Sequence, residues 1–479
     1  MSEKKHQKIA IIGGGIAGSS IALYLSELGL DVTLFEKKET LVDGPPICHL
    51  HAGGNLYREI SDTQCLTLLK ESIELAQLYP CAVDFRPTVI AVPIDDKGEV
   101  QDLYPRLEKL KKEYEFLIQK DIKNRVLGSP ENYYKFFTRE ELEVLQSKEI
   151  LEKPVSFDEW MIPVVKNIDL SKVKFPLIIV QEYGLNIFRL AASVTLGLKN
   201  ISNARILTNT SVTKIKKNTD IYKIEYEENN TIKVEEFDYI INAAGFKSGE
   251  IDDMLGFKRE RFVEFKAAYV TKWETKTSWP EIIFYGERGT PKGMAQLTPY
   301  PDGYFQLHGM TEDITLFKDG LVKNEFLSAQ PKLDKKYVNK IYKGWTQSEI
   351  DERSLLAIKH LAQFIPSFNN ATVASKPLFG AQQIPGKDAS LRAADVSFEG
   401  QRYARCEIVK ASSVLGMADS IAQKLVALGM LKKDFSIYRN FKYMQSFREE
   451  NITTYAQDLC LHRGYPLSLA MRNNNTVIL

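Results

Sequence analysis

The sequence has few cysteines and no long apolar run. Its five cysteines are widely spaced, and no CxxC pair occurs, which argues against an iron–sulfur cluster or a structural zinc site. No apolar run approaches the about 18 residues of a transmembrane helix. The polar N-terminus, MSEKKHQ, leads into a strand without the apolar stretch of a signal peptide. We therefore expect a cytoplasmic protein that binds no metal.

Neither sign of charge predominates in the sequence. The 63 basic residues balance 62 acidic ones, which leaves a net charge of +1. No overall field therefore favours nucleic acid as a partner. A chain of 479 residues is too long for one ordinary core and predicts two or three domains.

The first forty residues carry a dinucleotide-binding signature. The apolar run KIAII predicts a buried strand, and the glycine motif GGGIAG, helical periodicity and a second strand follow it. Gly13 permits the tight turn, Gly15 leaves room for a pyrophosphate, and Gly18 lets helix and strand approach closely. The helix N-terminus offers N–H groups to the phosphates. Glu36 ends the second strand, where a carboxylate can accept hydrogen bonds from ribose hydroxyls.

The order of elements predicts an α/β fold in which a Rossmann-like cofactor domain is interrupted twice. Strands dominate from residue 205 onwards, with Asn229-Asn230 as a hairpin tip, and a long helix begins near residue 412. The inserted substrate domain should be α+β, with an antiparallel sheet. The predicted segments are 1–75, 165–255 and 370–435 for the cofactor domain, 76–164 and 256–369 for the substrate domain, and 436–479 for a helical tail.

Three later segments resemble the FAD-dependent D-amino-acid-oxidase-like superfamily. Residues 239–245 (YIINAAG) resemble the strand and turn that return to the FAD site, and 206–215 (ILTNTSVTKI) resemble the strand on its adenine side. Residues 410–413 (KASS) open the helix that this superfamily directs at the flavin. The resemblance implies FAD as the cofactor. It adds four residues to the cofactor site: Ala244, Gly245, Ser412 and Ser413. Because only one glycine-rich loop follows a strand, we expect no separate NAD site.

Further segments resemble the shorter bacterial form of malate:quinone oxidoreductase. They are 49–61 (HLHAGGNLYREIS), 304–317 (YFQLHGMTEDITLF) and 376–386 (KPLFGAQQIPG). This resemblance implies oxidation of malate to oxaloacetate, a step of the tricarboxylic acid cycle, with electrons passing to a membrane quinone. Two alternatives stay open. One is another 2-hydroxy acid (lactate, 2-hydroxyglutarate) or an amino acid as substrate, and the other is a non-catalytic flavin-binding redox sensor.

Two histidines are candidates for the flavin and substrate sites. His51 precedes Gly53 and Gly54, which suggests close approach of the backbone to the flavin. It also resembles the histidine of His-Ala-Ala-Gly in dimethylglycine dehydrogenases, so a covalent histidyl linkage is the alternative to non-covalent FAD. His308 ends an alternating strand and is the candidate base for the substrate hydroxyl. The competing interpretation is a buried histidine with a purely structural role.

A dicarboxylate needs cationic anchors, and the C-terminal third of the chain offers Arg392, Lys376 and Lys410. Where many members of the superfamily carry Gly-x-Arg-Pro, this chain has Ser375-Lys376-Pro377, and lysine lacks the bidentate fork of arginine. Arg58 and Arg189 are further options.

A quinone acceptor implies contact with a membrane. The lysine-rich residues 332–343 predict a basic amphipathic helix, which can lie on an anionic lipid surface. The alternative is an ordinary solvated helix face. We therefore expect a cytoplasmic protein with weak peripheral attachment at the inner face of the cytoplasmic membrane.

Overall fold

A computed structural model describes residues 7–43, 58, 60–275, 277–432, 442–443 and 447–472. Within these ranges, none of the helices combines the length and the hydropathy needed to cross a bilayer. Helices and strands are numbered separately in chain order.

The helices are α1 (Ile16–Glu27), α2 (Asp62–Leu78), α3 (Tyr104–Lys120), α4 (Arg139–Gln146), α5 (Phe157–Asn167), α6 (Ile187–Lys199), α7 (Ser248–Met254), α8 (Lys335–Lys343), α9 (Gln347–Ala362), α10 (Val414–Ala427) and α11 (Glu449–His462).

The strands are β1 (Lys8–Ile12), β2 (Asp31–Phe35), β3 (Val83–Asp84), β4 (Thr88–Ala91), β5 (Tyr134–Phe137), β6 (Leu177–Val180), β7 (Gly184–Leu185), β8 (Ala204–Leu207), β9 (Thr210–Asn218), β10 (Ile221–Glu228), β11 (Thr231–Phe237), β12 (Tyr239–Asn242), β13 (Arg261–Lys272), β14 (Glu281–Phe284), β15 (Ala295–Pro299), β16 (Tyr304–Gly309), β17 (Leu321–Lys323), β18 (Thr372–Val373), β19 (Leu378–Pro385), β20 (Ser397–Phe398) and β21 (Tyr403–Arg405).

A parallel sheet forms one layer, which we call the cofactor layer because it contains the predicted dinucleotide motif. Its strand order is β8-β2-β1-β12-β21, and β20 adds an antiparallel edge. β1, β2 and β12 are almost wholly buried, as expected for apolar strands covered on both faces. Helix α1 joins β1 to β2, so the chain opens with the predicted β-α-β unit.

Strands β9, β10 and β11 form a separate antiparallel meander. Asn229 and Asn230 make the turn between β10 and β11 with φ angles of 51° and 60°. A hairpin of this kind needs positive φ at both central positions, which asparagine tolerates better than most residues. The hairpin tip predicted from the Asn-Asn pair is therefore confirmed.

The second large sheet is mixed, in the order β17-β13-β16-β15-β14-β4-β6-β5, and β18 and β19 also pair with β13. All its pairs are antiparallel except β4 with β14. Its outer face packs against α4, α5 and α9 in one apolar core. Its inner face shares a second core with α1, α2 and α6 of the cofactor layer. The mixed sheet therefore lies directly against the cofactor layer.

A buried ion network joins the two layers. Arg261 at the start of β13 bonds the carboxylates of Asp252 and Glu407, and Arg405 at the end of β21 bonds Asp252 at 2.7 Å. All four side chains are almost fully buried. Removing one partner would leave a buried charge unpaired, which is strongly destabilising.

The predicted domain boundaries remain a prediction. Strands β6 and β19 fall inside the ranges 165–255 and 370–435 that we predicted for the cofactor domain, yet both pair within the mixed sheet. Long-range pairing of this kind leaves no local signal in the sequence.

Candidate FAD and substrate site

The three glycines of the dinucleotide motif, Gly13, Gly15 and Gly18, have different surroundings in the structure. Gly13 has φ +104°, and a Cβ added there would lie 2.3 Å from the Ala243 oxygen. A Cβ on Gly18 would lie 1.8 Å from the Gly13 oxygen, whereas one on Gly15 would meet nothing within 4 Å. Gly13 and Gly18 are therefore required by packing. Gly15 borders open space at the N-terminus of α1, where a phosphate can approach the backbone.

A cavity of about 600 Å³ begins at this turn, a volume within the range typical of ligand sites. Its wall consists of residues from the glycine turn, the loop after β2, the turn after β12, β19, the segment before α10 and the end of α11. These parts lie at 13–17, 36–43, 243–246, 379–383, 406–411 and 462–465. Gly245 and Ala244 belong to the wall, and Gly18 lies behind it.

Glu36 lies in this wall and is held in place by the backbone. Its Oε2 accepts the N–H of Gly14 at 2.6 Å, and its Oε1 accepts the N–H of Lys38 at 2.8 Å. Burial raises the pKa of Glu36, and these two hydrogen bonds oppose the rise. Each carboxylate oxygen keeps a second lone pair, so ribose hydroxyls can still be bound. The open space at Gly15, the helix N-terminus and Glu36 together fit the ADP half of FAD.

The segment before α10 lies beside the cavity. Ala411 lines it, whereas Ser412 and Ser413 are buried next to it and Lys410 is half-buried. The Ser413 hydroxyl donates to Glu71 Oε2 at 2.9 Å, and burial raises the pKa of Glu71 to about 7. Sequence reasoning missed Glu71, because it comes from α2 and is distant in the chain.

The predicted anchor Lys376 lies in the cavity wall. Lys376 lines the cavity, with its ammonium 4.7 Å from the centre of the Tyr465 ring. Burial lowers its pKa, and Asp43 and Lys38 are the charged groups that act on it most strongly. Both lie in the loop after β2, so Lys376 belongs to the Glu36 side of the cavity. His51, Gly53 and Gly54 lie outside the described residues.

His308 lies on the inner face of the mixed sheet. It is 3% exposed and stands opposite Gln296 on β15. Gln306, two residues earlier on the same face, pairs with Val270 of β13. Lys266 precedes Val270 by four residues, so His308 and Lys266 project from the same face of the sheet.

Sequence reasoning missed a cluster of charges at this face. The Lys266 ammonium lies 2.7 Å from Glu264 Oε2 and 3.4 Å from Gln382 Oε1, and Gln382 lines the cavity. Arg288 also pairs with Glu264. The alternation of Glu264 and Lys266 with apolar residues in β13 (VEFKAAYV) was the available signal.

The cluster shifts the titration of its buried members. The pKa of Lys266 is lowered to about 8, mainly because the ammonium is buried. Arg288 and Arg392 also lower this pKa, whereas Glu264 opposes the shift. Burial raises the pKa of Glu264, but Lys266, Arg288 and Arg392 lower it more, so that this carboxylate has a pKa below its ordinary value. Arg392 is therefore the predicted anchor that the structure brings to this cluster.

The other basic candidates have structural contacts. Arg189 bonds the Cys81 carbonyl and Glu449. The Arg58 guanidinium lies 2.5 Å from Asp96 and stacks on the Tyr285 ring. In the described part of the chain, no three His, Cys, Asp or Glu side chains are grouped to hold a metal ion.

Comparisons with known proteins agree with this geometry. Residues 8–138 match the family model described as DAO, FAD dependent oxidoreductase. No curated protein matches the chain.

Several solved structures have a similar fold. Glycine oxidase from Geobacillus kaustophilus has a TM-score of 0.54 at 11% identity, over 90% of this chain and 97% of that one. L-amino acid deaminase from Proteus vulgaris has a TM-score of 0.57 at 13% identity, over 92% and 98%. Glycerol-3-phosphate dehydrogenase from Bacillus halodurans, complexed with FAD, has a TM-score of 0.53 at 12% identity, over 98% and 82%.

At these identities the likeness concerns the fold, and the matched residues 8–138 contain the glycine turn and Glu36. The predicted fold class and the predicted FAD cofactor are confirmed, and residues 8–138 are similar to the FAD-dependent oxidoreductases that the DAO model describes.

Proposed function

We propose that this protein oxidises malate to oxaloacetate and passes the electrons to a membrane quinone. The observation that carries the proposal is the cationic cluster of Lys266, Arg288 and Arg392 beside the cavity wall at Gln382. The three cations outnumber the one buried carboxylate, Glu264, so the cluster attracts a further negative charge. This attraction is strong because charges interact more strongly where water is excluded, and it favours an anionic substrate.

The remaining groups suit a hydroxy acid. His308 shares the sheet face with Lys266, so it can take the hydroxyl proton while the cluster holds a carboxylate. Bound FAD would accept the hydride from the substrate carbon. Two segments that resemble malate:quinone oxidoreductase contribute to this region, since 304–317 contains His308 and 376–386 contains the cavity residues of β19.

Amino acids are the rival substrates, because glycine oxidase and L-amino acid deaminase share the fold. Fold alone does not decide between them. An amino acid carries an ammonium group that the cations of the cluster would repel, so the cluster favours the hydroxy acid.

Peripheral membrane contact would bring the flavin close to a quinone. Tyr337 of α8 is buried and stacks on Phe265, so the apolar side of this lysine-rich helix packs inside the protein. Phe326 and Leu327, 89% and 84% exposed, form a more suitable apolar tip, and Lys258 lies beside them. We place the proposed attachment at this tip.

An anaerobic screen of malate, lactate, 2-hydroxyglutarate and amino acids tests the proposal by the fall in flavin absorbance. Malate should be preferred over lactate by at least about tenfold in kcat/KM, or roughly 1.4 kcal/mol, because it has one more carboxylate to anchor. Faster reduction by lactate or by an amino acid would overturn the substrate assignment. Reduction by none of them would favour the redox sensor.

A further inference from the structure

The end of α11 forms part of the cofactor cavity. His462, Arg463 and Tyr465 line it together with the glycine turn. They lie at and just after the end of α11, far in sequence from the β-α-β unit that carries the dinucleotide motif. A cofactor in the cavity therefore contacts residues that the motif does not predict.

Arg463 connects the tail to the loop after β2. It donates to the carbonyl oxygens of Leu41 at 2.8 Å and Val42 at 3.1 Å and to the Thr40 hydroxyl at 2.9 Å. Its side chain is 9% exposed, and its Nε makes no hydrogen bond but lies 3.8 Å from Asp43 Oδ1, which belongs to the same cavity wall. These contacts hold the Arg463 guanidinium in the cavity wall, where an anionic ligand can approach it.

Tyr465 makes the second connection. Its hydroxyl donates to the Pro377 carbonyl at 2.9 Å, its ring packs against Phe188, and Lys376 lies over the ring. Arg463 and Lys376 therefore bring two positive charges to the same side of the cavity. The pyrophosphate of FAD is the anionic part of the cofactor and is expected near the glycine turn.

The tail is anchored behind the cavity as well. Arg189 of α6 bonds Glu449 at 3.0 Å and Thr453 at 2.9 Å, both in α11. The Ser468 hydroxyl donates to Asp302 at 2.6 Å, next to β16. These contacts hold the tail against both layers, so that Arg463 and Tyr465 are presented to the cavity.

We propose that residues 449–472 form a strap that completes the FAD site, in which Arg463 binds the cofactor directly. The proposal holds whichever substrate is oxidised. If the docked strap raises the affinity for FAD by some factor, FAD must favour the docked strap by the same factor, because binding linkage is reciprocal. Two measurements, one on each side of this linkage, therefore test the same statement.

The first measurement is FAD affinity, obtained by titrating the apoprotein and following flavin fluorescence. Arg463→Ala should weaken FAD binding by at least about tenfold, in the range expected for losing charge-assisted hydrogen bonds. Arg448→Ala is the matched control, because Arg448 is an exposed arginine at the other end of α11. It should bind FAD like the unchanged protein.

The second measurement uses the unchanged protein, so it does not depend on how a variant folds. FAD should slow amide hydrogen exchange in α11, whereas exchange in α4, on the far side of the mixed sheet, should stay the same. Equal FAD affinity in Arg463→Ala and Arg448→Ala would overturn the proposal. So would exchange in α11 that FAD does not alter.

Discussion

The Cα of Gly18 lies so close to the Gly13 carbonyl oxygen that a Cβ on Gly18 would be 1.8 Å from it. Helix propensity alone would let Gly18→Ala stabilise α1 by about 1 kcal/mol. Because the clash is with backbone, we expect the opposite sign, a loss of about 3 kcal/mol in the free energy of unfolding. Denaturant unfolding of the apoprotein measures it.

Gly15→Ala is the matched variant for this turn. A Cβ on Gly15 meets no atom within 4 Å, so the apoprotein should unfold at the same denaturant concentration as the unchanged protein. The methyl group would occupy the space beside the pyrophosphate, and FAD affinity should fall by about tenfold or more, roughly 1.4 kcal/mol. A Gly15→Ala protein that binds FAD normally would contradict this placement of the phosphate.

Lys266 should make substrate capture depend on pH. Its pKa is lowered to about 8, so the protonated form that attracts a carboxylate is lost as the pH rises through 8. We expect kcat/KM, which reports the free enzyme, to fall above pH 8. Lys266→Arg should remove this fall because guanidinium stays charged, and Lys266→Met should lower kcat/KM throughout.

The same shift affects stability with a defined sign. Between pH 8 and 10.5 the unfolded chain keeps the proton on Lys266 that the folded protein has released. The contribution of this group to the free energy of unfolding should therefore rise with pH over that interval. Comparing the pH dependence of unfolding in Lys266→Met and in the unchanged protein isolates this contribution.

His308→Ala tests the proposed base. Flavin reduction by substrate should slow by about 10²–10⁴-fold, the usual contribution of general base catalysis, while the FAD content stays the same because His308 is not part of the cavity wall at the glycine turn. Rapid mixing under anaerobic conditions measures the rate. Reduction at the normal rate would leave His308 with a structural role on β16.

Membrane attachment can be tested at the exposed tip. The unchanged protein should sediment with anionic vesicles at low salt and be released as salt screens the lysines. Phe326→Asp should lose this binding, because it places a charge where an apolar side chain would enter the lipid surface. Ile232→Asp is the control, since Ile232 is 68% exposed on the separate meander.

Local patterns predicted the cofactor half well. Glycine spacing, the apolar runs of β1 and β2 and the acid at the end of β2 are all contained in thirty residues, so their geometry follows from short-range sterics. The Asn229-Asn230 turn was predictable for the same reason, since its positive φ angles depend on the two residues themselves.

The substrate side was less predictable because its contacts are distant in sequence. Lys266 meets Gln382 only because β13 pairs with β19, more than one hundred residues later. Arg463 meets the loop after β2 across more than four hundred residues. Neither pairing leaves a periodicity in the sequence, and surface solvation is the ordinary expectation for a lysine or an arginine.

The placement of Tyr465 in the cavity wall has a consequence for biosynthesis. The parallel sheet receives β21 from residues 403–405, and the cavity receives its final wall from 462–465. A nascent chain that has not yet reached residue 403 has the glycine turn but lacks both contributions. FAD can therefore meet the complete cavity wall only after translation has passed residue 465.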